Sequence, residues 1–213
     1  MSIRKSIQPH PIPKDLAKEL GTGGIKVILE LIRDAYFDLV HANVIDLTLD
    51  ENQITEEWYI WLLERWKSQT GMNLKPIYQK GDRTKAKKGK IPPTVDFCFR
   101  SSWHQQVYFG IECKLVEANS KSLCDKYIHN GLLRFINCSY SSNCSEGAML
   151  GYIRQTKCSE VAIQLVTRIA ILDGSPALHQ SNSLHPFEDY YISRHNRTNC
   201  ISPFTIHHFL LIF

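Results

Sequence analysis

The spacing of apolar and polar positions divides this chain into extended and helical stretches. Over residues 107–116 the period is two, with Val107, Phe109, Ile111, Cys113 and Leu115 on one face and Tyr108, Gly110, Glu112, Lys114 and Val116 on the other. This predicts a strand covered on its apolar side, with a carboxylate and an amine next to each other on the opposite side. Residues 94–100 repeat the pattern: Val95, Phe97 and Phe99 face one way, and Thr94, Asp96, Cys98 and Arg100 the other. If the two strands pair with their apolar faces on one side, Asp96 sits beside Glu112 and Lys114.

The period becomes helical over residues 25–42, where Ile25, Ile28, Leu29, Ile32, Tyr36, Leu39 and Val40 form a stripe. A short helical piece over residues 14–20 precedes it, separated by the breaker Gly21-Thr-Gly-Gly24. Thr48-Leu-Asp-Glu51 has the form of a capping box and predicts a second helix, through Ile54, Trp58, Leu62 and Trp66 to a stop at Gly71. Glu51 lies on the core-facing stripe of that helix, so it either completes the cap or points inward toward other elements. A strand follows over residues 74–79, and Pro76 argues for an edge position. Ser120 or Ser122 starts a helix to about residue 136, with Cys124, Ile128, Leu132 and Phe135 inward and Lys126, Asn130 and Arg134 recurring on another line. The remaining expectations are a strand over 148–154, a helix over 159–172 burying Val161, Ile163, Leu165, Val166 and Ile169, a loop over 174–186, and strands over 187–193 and 204–213. The apolar run that ends at Phe213 is best accommodated by insertion into the sheet or into a partner.

Composition changes this picture little. The chain has 213 residues, 43% of them hydrophobic, enough for one domain with a substantial core. A net charge of +4 permits a polyanionic partner without requiring one. No apolar run approaches the roughly 20 residues of a membrane span, and Met-Ser-Ile-Arg-Lys is not followed by a signal-peptide core. These features predict a cytoplasmic protein with no membrane partner. Seven cysteines without a Cys-x-x-Cys read as reduced thiols, with a zinc site built on Cys138 and Cys144 as the alternative. Between Lys80 and Lys90 stand six cations and one acid, either a solvated loop or one that contacts phosphates through Arg83, Lys85, Lys87, Lys88 and Lys90.

Two acids and a lysine on one sheet face have a specific chemical use. Mg²⁺ takes oxygen ligands and is commonly held by one or two carboxylates together with waters and substrate phosphates. A neighbouring lysine orients the attacking water, helps deprotonate it, or offsets charge that develops on the phosphate. Asp96 followed by Glu112-Cys113-Lys114 resembles the signature of the PD-(D/E)xK, or restriction-endonuclease-like, nucleases. The sequence departs from that signature in having Val95 before Asp96, with the proline at position 93.

The resemblance implies an α/β core in the order helix, three strands, helix, strand, here with N-terminal helices and two added C-terminal strands. Residues 1–213 then form a single nuclease domain, divided into an extension over 1–47, a core over 48–172 and a C-terminal extension over 173–213. It implies hydrolysis of phosphodiester bonds, of DNA in preference to RNA, with Mg²⁺ or Mn²⁺ bound by Asp96, Glu112 and the backbone carbonyl of Cys113. Lys114 completes the catalytic set, and Glu51 supplies the additional acid that many members carry on their first core helix. Lys126 and Arg134 are candidates for nucleic-acid contact beside the cationic loop. Tyr127…Arg134-Phe135, Met149-x-Gly151-Tyr152 and Ser193-x-His195-x-Arg197 are similar to small nucleases linked to anti-phage defence. That similarity implies a homodimer or a complex with a second defence-system subunit. The alternative is a catalytically silent nucleic-acid-binding or interaction subunit on the same fold. Arg197 is a further candidate for phosphate binding, and no histidine is assigned to catalysis.

Overall fold

The computed structural model describes residues 22–69, 74–81, 92–101, 107–174 and 176–213. The helical piece expected over 14–20 and the cationic run with Arg83, Lys85, Lys87, Lys88 and Lys90 lie outside the described residues.

Helix α1 (Thr22–Ala42) buries Ile25, Ile28, Leu29, Leu31, Ile32, Ala35 and Leu39, a helical stripe like the one the sequence predicts, although Val40 stays exposed. Helix α2 (Glu51–Ser68) starts two residues later than Thr48 would place it. Asp50 is the N-cap: its carboxylate accepts from the Gln53 N–H at 2.9 Å, and the Gln53 side chain accepts from the Asp50 N–H at 2.9 Å. Thr48 forms no reciprocal pair with Glu51, because its N–H is bonded to the Asp46 carboxylate at 2.8 Å instead. The shift leaves the Glu51 carboxylate outside the cap.

Strands β1 (Leu74–Gly81), β2 (Thr94–Ser101) and β3 (Phe109–Leu115) form an antiparallel meander. Helix α3 spans residues 121–136 and is α-helical at both ends, with a π-helical segment, Tyr127–Leu132, between them. Strand β4 (Glu146–Ile153) returns parallel to β3, and helix α4 (Cys158–Ala170) leads to β5 (Leu178–Gln180), β6 (Tyr190–His195) and β7 (Phe204–Ile212). All seven strands join one sheet in the order β1-β2-β3-β4-β7-β6-β5. The protein is therefore mixed α/β, with β1 at the expected edge and the apolar run of β7 inserted between β4 and β6. Strand β5 is one more than the pattern predicts, because three residues are too short to show a period.

The sheet is covered on both faces. On one side α1 and α2 pack on Phe97, Phe99, Phe109, Ile111, Cys113, Leu150 and Tyr152. On the other, α3 and α4 pack on Cys98, Tyr108, Val116, Met149, Ile206 and Leu210. Val95 joins this second layer instead of following Phe97 and Phe99. The expectation that β3 is covered on one side alone is thus corrected: its polar face lies under α3, and Glu112 and Lys114 are buried. In α4, Ile163 and Val166 are exposed rather than buried, because they lie opposite the stripe of Val161, Leu165 and Ile169. Cys138 and Cys200 form a disulfide, while Cys98, Cys113, Cys124, Cys144 and Cys158 are free and buried, which corrects the expectation that every thiol is reduced.

The position of the cap is testable. Asp50→Ala should lower unfolding stability by about 0.5–2 kcal/mol, and Thr48→Ala should stay within about 0.5 kcal/mol of the parent, both read from denaturant midpoints at constant m-value.

Candidate functional site

The ladder between β2 and β3 runs from Phe99–Phe109 to Phe97–Ile111, and one step further Asp96 comes beside Glu112. There the Asp96 side chain takes the place of a main-chain acceptor, and its Oδ2 accepts from the Cys113 N–H at 2.7 Å. From Ile111 onward β3 pairs with β4 on its other side, up to Leu115–Tyr152. Glu51, at the first turn of α2, crosses the end of β3, and its Oε2 accepts from the Leu115 N–H at 2.9 Å.

Lys114 Nζ is the centre of the site. It lies 2.9 Å from Glu51 Oε1, 3.1 Å from Glu112 Oε1, 3.9 Å from Asp96 Oδ2 and 2.6 Å from the Cys113 carbonyl oxygen. The Lys114 side chain is 11% exposed and that of Glu112 is 2% exposed, so these charges interact with little solvent between them. The structure therefore brings together the four residues proposed as catalytic from sequence, Glu51, Asp96, Glu112 and Lys114, and with them the carbonyl of Cys113.

The electrostatics follow from burial and charge count. Burial, reinforced by the neighbouring Asp96 charge, pushes the Glu112 carboxyl up to about 8 against the pull of Lys114 and Arg134. Burial also raises Asp96, with Lys114 and the Cys113 N–H opposing it. For Lys114, burial alone disfavours the charge, but Glu112, Asp96 and Glu51 more than reverse this and hold the ammonium above its ordinary pKa. Three carboxylates face one buried ammonium, and Glu112 Oε2 is buried without a hydrogen-bond partner. An orphaned carboxylate oxygen, in a pocket of hard oxygen donors already arranged about a cation, fits a small divalent metal. Among the described residues no group of three or more histidine, cysteine, aspartate or glutamate side chains is arranged to hold a metal ion. Asp96, Glu112 and the Cys113 carbonyl would hold such an ion as a partial shell, leaving positions for water and phosphate.

The thiol of Cys113 faces the opposite core layer, and burial raises its pKa well above the usual thiol range, so only the backbone of this residue addresses the site. The π segment of α3 fits the helix to the sheet. A Cβ on Gly131 would lie 2.4 Å from Met149 Cε and 3.5 Å from Lys114 Cγ, so glycine lets the helix approach the lysine stem. With i→i+5 bonding, residues four apart no longer stack, and the line Lys126–Asn130–Arg134 divides. Lys126 and Asn130 line a surface depression with Lys121, Ser122, Asp125 and His129. Arg134 alone reaches the site, with Nη1 3.7 Å from Glu112 Oε1. Beside it stands Tyr140, which hydrogen-bonds Arg134 Nη1 and donates to the Thr94 carbonyl at 2.7 Å. Tyr140 lies between α3 and β4, where an isolated aromatic carries no periodic signal in the sequence.

The other polar residues form a separate system. The Arg197 guanidinium donates to the carbonyls of Phe135, Ser141, Cys144 and Ile201, and stacks 3.7 Å over the Phe204 ring. It is buried, with four N–H groups bonded to main-chain carbonyls, which argues against it as a phosphate ligand. Tyr127, His208, Ser193 and His195 make a buried chain with links of 2.9, 2.7 and 2.7 Å. Burial holds both imidazoles neutral, lowering His195 to about 4 and His208 well below its usual value. Cys138 is paired with Cys200, so it does not join Cys144 in a zinc site.

A pH dependence follows for the protein in chelator. The folded pKa of Glu112, about 8, is above the ordinary carboxylate value, so the folded state binds the proton more tightly. The associated stability is complete below the unfolded pKa and is lost as pH rises through about 8. The melting temperature should fall from pH 5 to pH 8, and Glu112→Gln should flatten that fall; an identical slope in the variant would assign it to another group.

Comparison with protein-family models, with curated proteins and with solved structures finds no match to this chain.

Proposed function

We propose that this protein is a divalent-metal-dependent nuclease that hydrolyses phosphodiester bonds, with DNA the favoured substrate over RNA. The observation that carries the reading is the cage of Glu51, Asp96, Glu112 and Cys113 oxygens around Lys114 Nζ, with Glu112 Oε2 left without a donor. The order α2, β1–β3, α3, β4 gives further support, since the resemblance implies a helix, three strands, a helix and a strand in that order.

Mg²⁺ or Mn²⁺ held by Asp96, Glu112 and the Cys113 carbonyl would supply Lewis acidity to the phosphate and lower the pKa of a bound water. The residues of the chain do the rest. Asp96 is oriented by the Cys113 N–H, which donates to its Oδ2. Burial raises the pKa of Glu112, so a cation bound there would compete with a proton and bind more strongly as pH rises. The raised pKa of Lys114 keeps it an ammonium, which suits it to orient the nucleophile and offset phosphate charge, and argues against a role as the base. Glu51 bridges Lys114 Nζ and the Leu115 N–H and so fixes the direction of the lysine.

Purified protein incubated with plasmid, linear DNA and RNA should cleave with Mg²⁺ or Mn²⁺ and not with chelator. Asp96→Ala and Glu112→Gln should abolish cleavage, and Lys114→Met should reduce turnover by on the order of 10²-fold. Unchanged cleavage in the two acid variants would remove the site. Binding without cleavage under every metal would favour a silent nucleic-acid-binding subunit.

Glu51→Gln separates the role of this acid from that of the cap. Turnover should fall steeply and recover in part at high Mg²⁺, while Asp50→Ala, which breaks the cap, should leave turnover per folded molecule near the parent value. Normal turnover of Glu51→Gln at low Mg²⁺ would take Glu51 out of the site.

A further inference from the structure

The site has a second cation that the reading above does not use. Arg134 leaves α3 just beyond the π segment, and its side chain is 44% exposed. Its Nη1 stands 3.7 Å from Glu112 Oε1, too far for a hydrogen bond. Lys114 already takes that oxygen at 3.1 Å, and the oxygen in need of a donor, Glu112 Oε2, has none. A guanidinium recruited to neutralise Glu112 would have reached Oε2. Arg134 is held by something else.

That partner is Tyr140. Its hydroxyl proton is committed to the Thr94 carbonyl at 2.7 Å, so only a lone pair faces Arg134 Nη1. The guanidinium carbon also lies 5.6 Å from the Tyr140 ring centroid. Tyr140 is fully buried, and its loop is fixed on both sides: Arg197 binds the carbonyls of Ser141 and Cys144, Ser141 Oγ accepts from the Gly110 N–H at 3.0 Å, and Cys138 is joined to Cys200. Arg134 is thereby gripped at one corner by a rigid group. Among the described residues the hydrogen bond that the Arg134 side chain donates comes from Nη1, and none comes from Nε or Nη2. That open edge carries two parallel donors, a fork that matches two oxygens of a phosphate.

We propose that Arg134, positioned by Tyr140, clamps the non-bridging oxygens of the phosphodiester that is attacked beside Asp96 and Glu112. Arg134 then touches substrate, and Tyr140 acts through it as a positioning residue. The inference rests on the nuclease reading and deepens it by naming the group that holds the scissile phosphate.

The test compares wild type with Arg134→Met, Arg134→Lys and Tyr140→Phe, and with Lys26→Ala, a loss of one exposed positive charge on α1. Two quantities are measured: kcat and KM with Mg²⁺, and anisotropy binding of a fluorescein-labelled DNA duplex and the matching RNA duplex in chelator. Circular dichroism melts confirm that each variant is folded. Arg134→Met should lower kcat/KM by on the order of 10²-fold, mostly through kcat. Arg134→Lys should recover only part of this, because an ammonium lacks the fork. Tyr140→Phe should act in the same direction by about tenfold, the effect of one hydrogen bond to a charged group. In chelator, Arg134→Met should weaken duplex binding more than Lys26→Ala, although both remove one positive charge. Equal behaviour of Arg134→Met and Lys26→Ala in binding and turnover would overturn the clamp, as would full recovery by Arg134→Lys. In that case wild type still cleaves. A wild type that binds duplex and cleaves nothing with any metal overturns the nuclease reading itself, so the two failures are told apart.

Discussion

A buried ammonium survives only where surrounding oxygens compensate for the water it has lost, and here that requirement governs how four elements meet. Lys114 Nζ draws one oxygen from the start of α2, one from β2 and two from its own strand, while α3 closes over its stem at Gly131. None of these contacts is local in sequence except those within β3. The late start of α2, the end of the β2–β3 ladder at Asp96 and the π turn in α3 all serve one atom. Removing any single carboxylate would leave a different balance of charge in a place where solvent cannot correct it.

Much of this was legible because strands announce themselves by alternation. The periods of residues 94–100 and 107–116 were enough to place Asp96 against Glu112 and Lys114, while the core stripe of α2 offered an inward Glu51 only as one of two alternatives, the other being the helix cap. What failed has definite physical causes. Glu112 and Lys114 look like a wet face because sequence does not reveal that an oppositely charged cluster will be buried as a unit. Thr48 and Asp50 both open a capping pattern, and the choice between them rested on a turn at Asp46 that only coordinates reveal. The π segment is invisible to a 3.6-residue period, so Arg134 was assigned to a line with Lys126 that the helix does not make. Tyr140 had no pattern at all.

Two polar systems share this sheet, and they differ in how completely they are satisfied. Around Arg197, His195 and His208 nearly every group has found a partner of suitable geometry, and burial lowers the pKa of both imidazoles. Around Lys114 an oxygen of Glu112 is orphaned and one edge of Arg134 is open. Trp58 Nε1 and Arg154 Nε are buried without partners as well, so what sets this place apart is an unmet oxygen within a cluster of three carboxylates and two cations. Burial by itself would not have separated the two.

Strand order also has a consequence in time. β7 lies between β4 and β6, so the middle of the sheet is filled by residues 204–212, long after β3 and β4 have been made. A chain that is still being synthesised therefore carries β4 with a bare parallel edge, and the strand bearing Glu112 and Lys114 leans on a neighbour that is itself unsupported. The lysine cage gains its full backing only when β7 arrives.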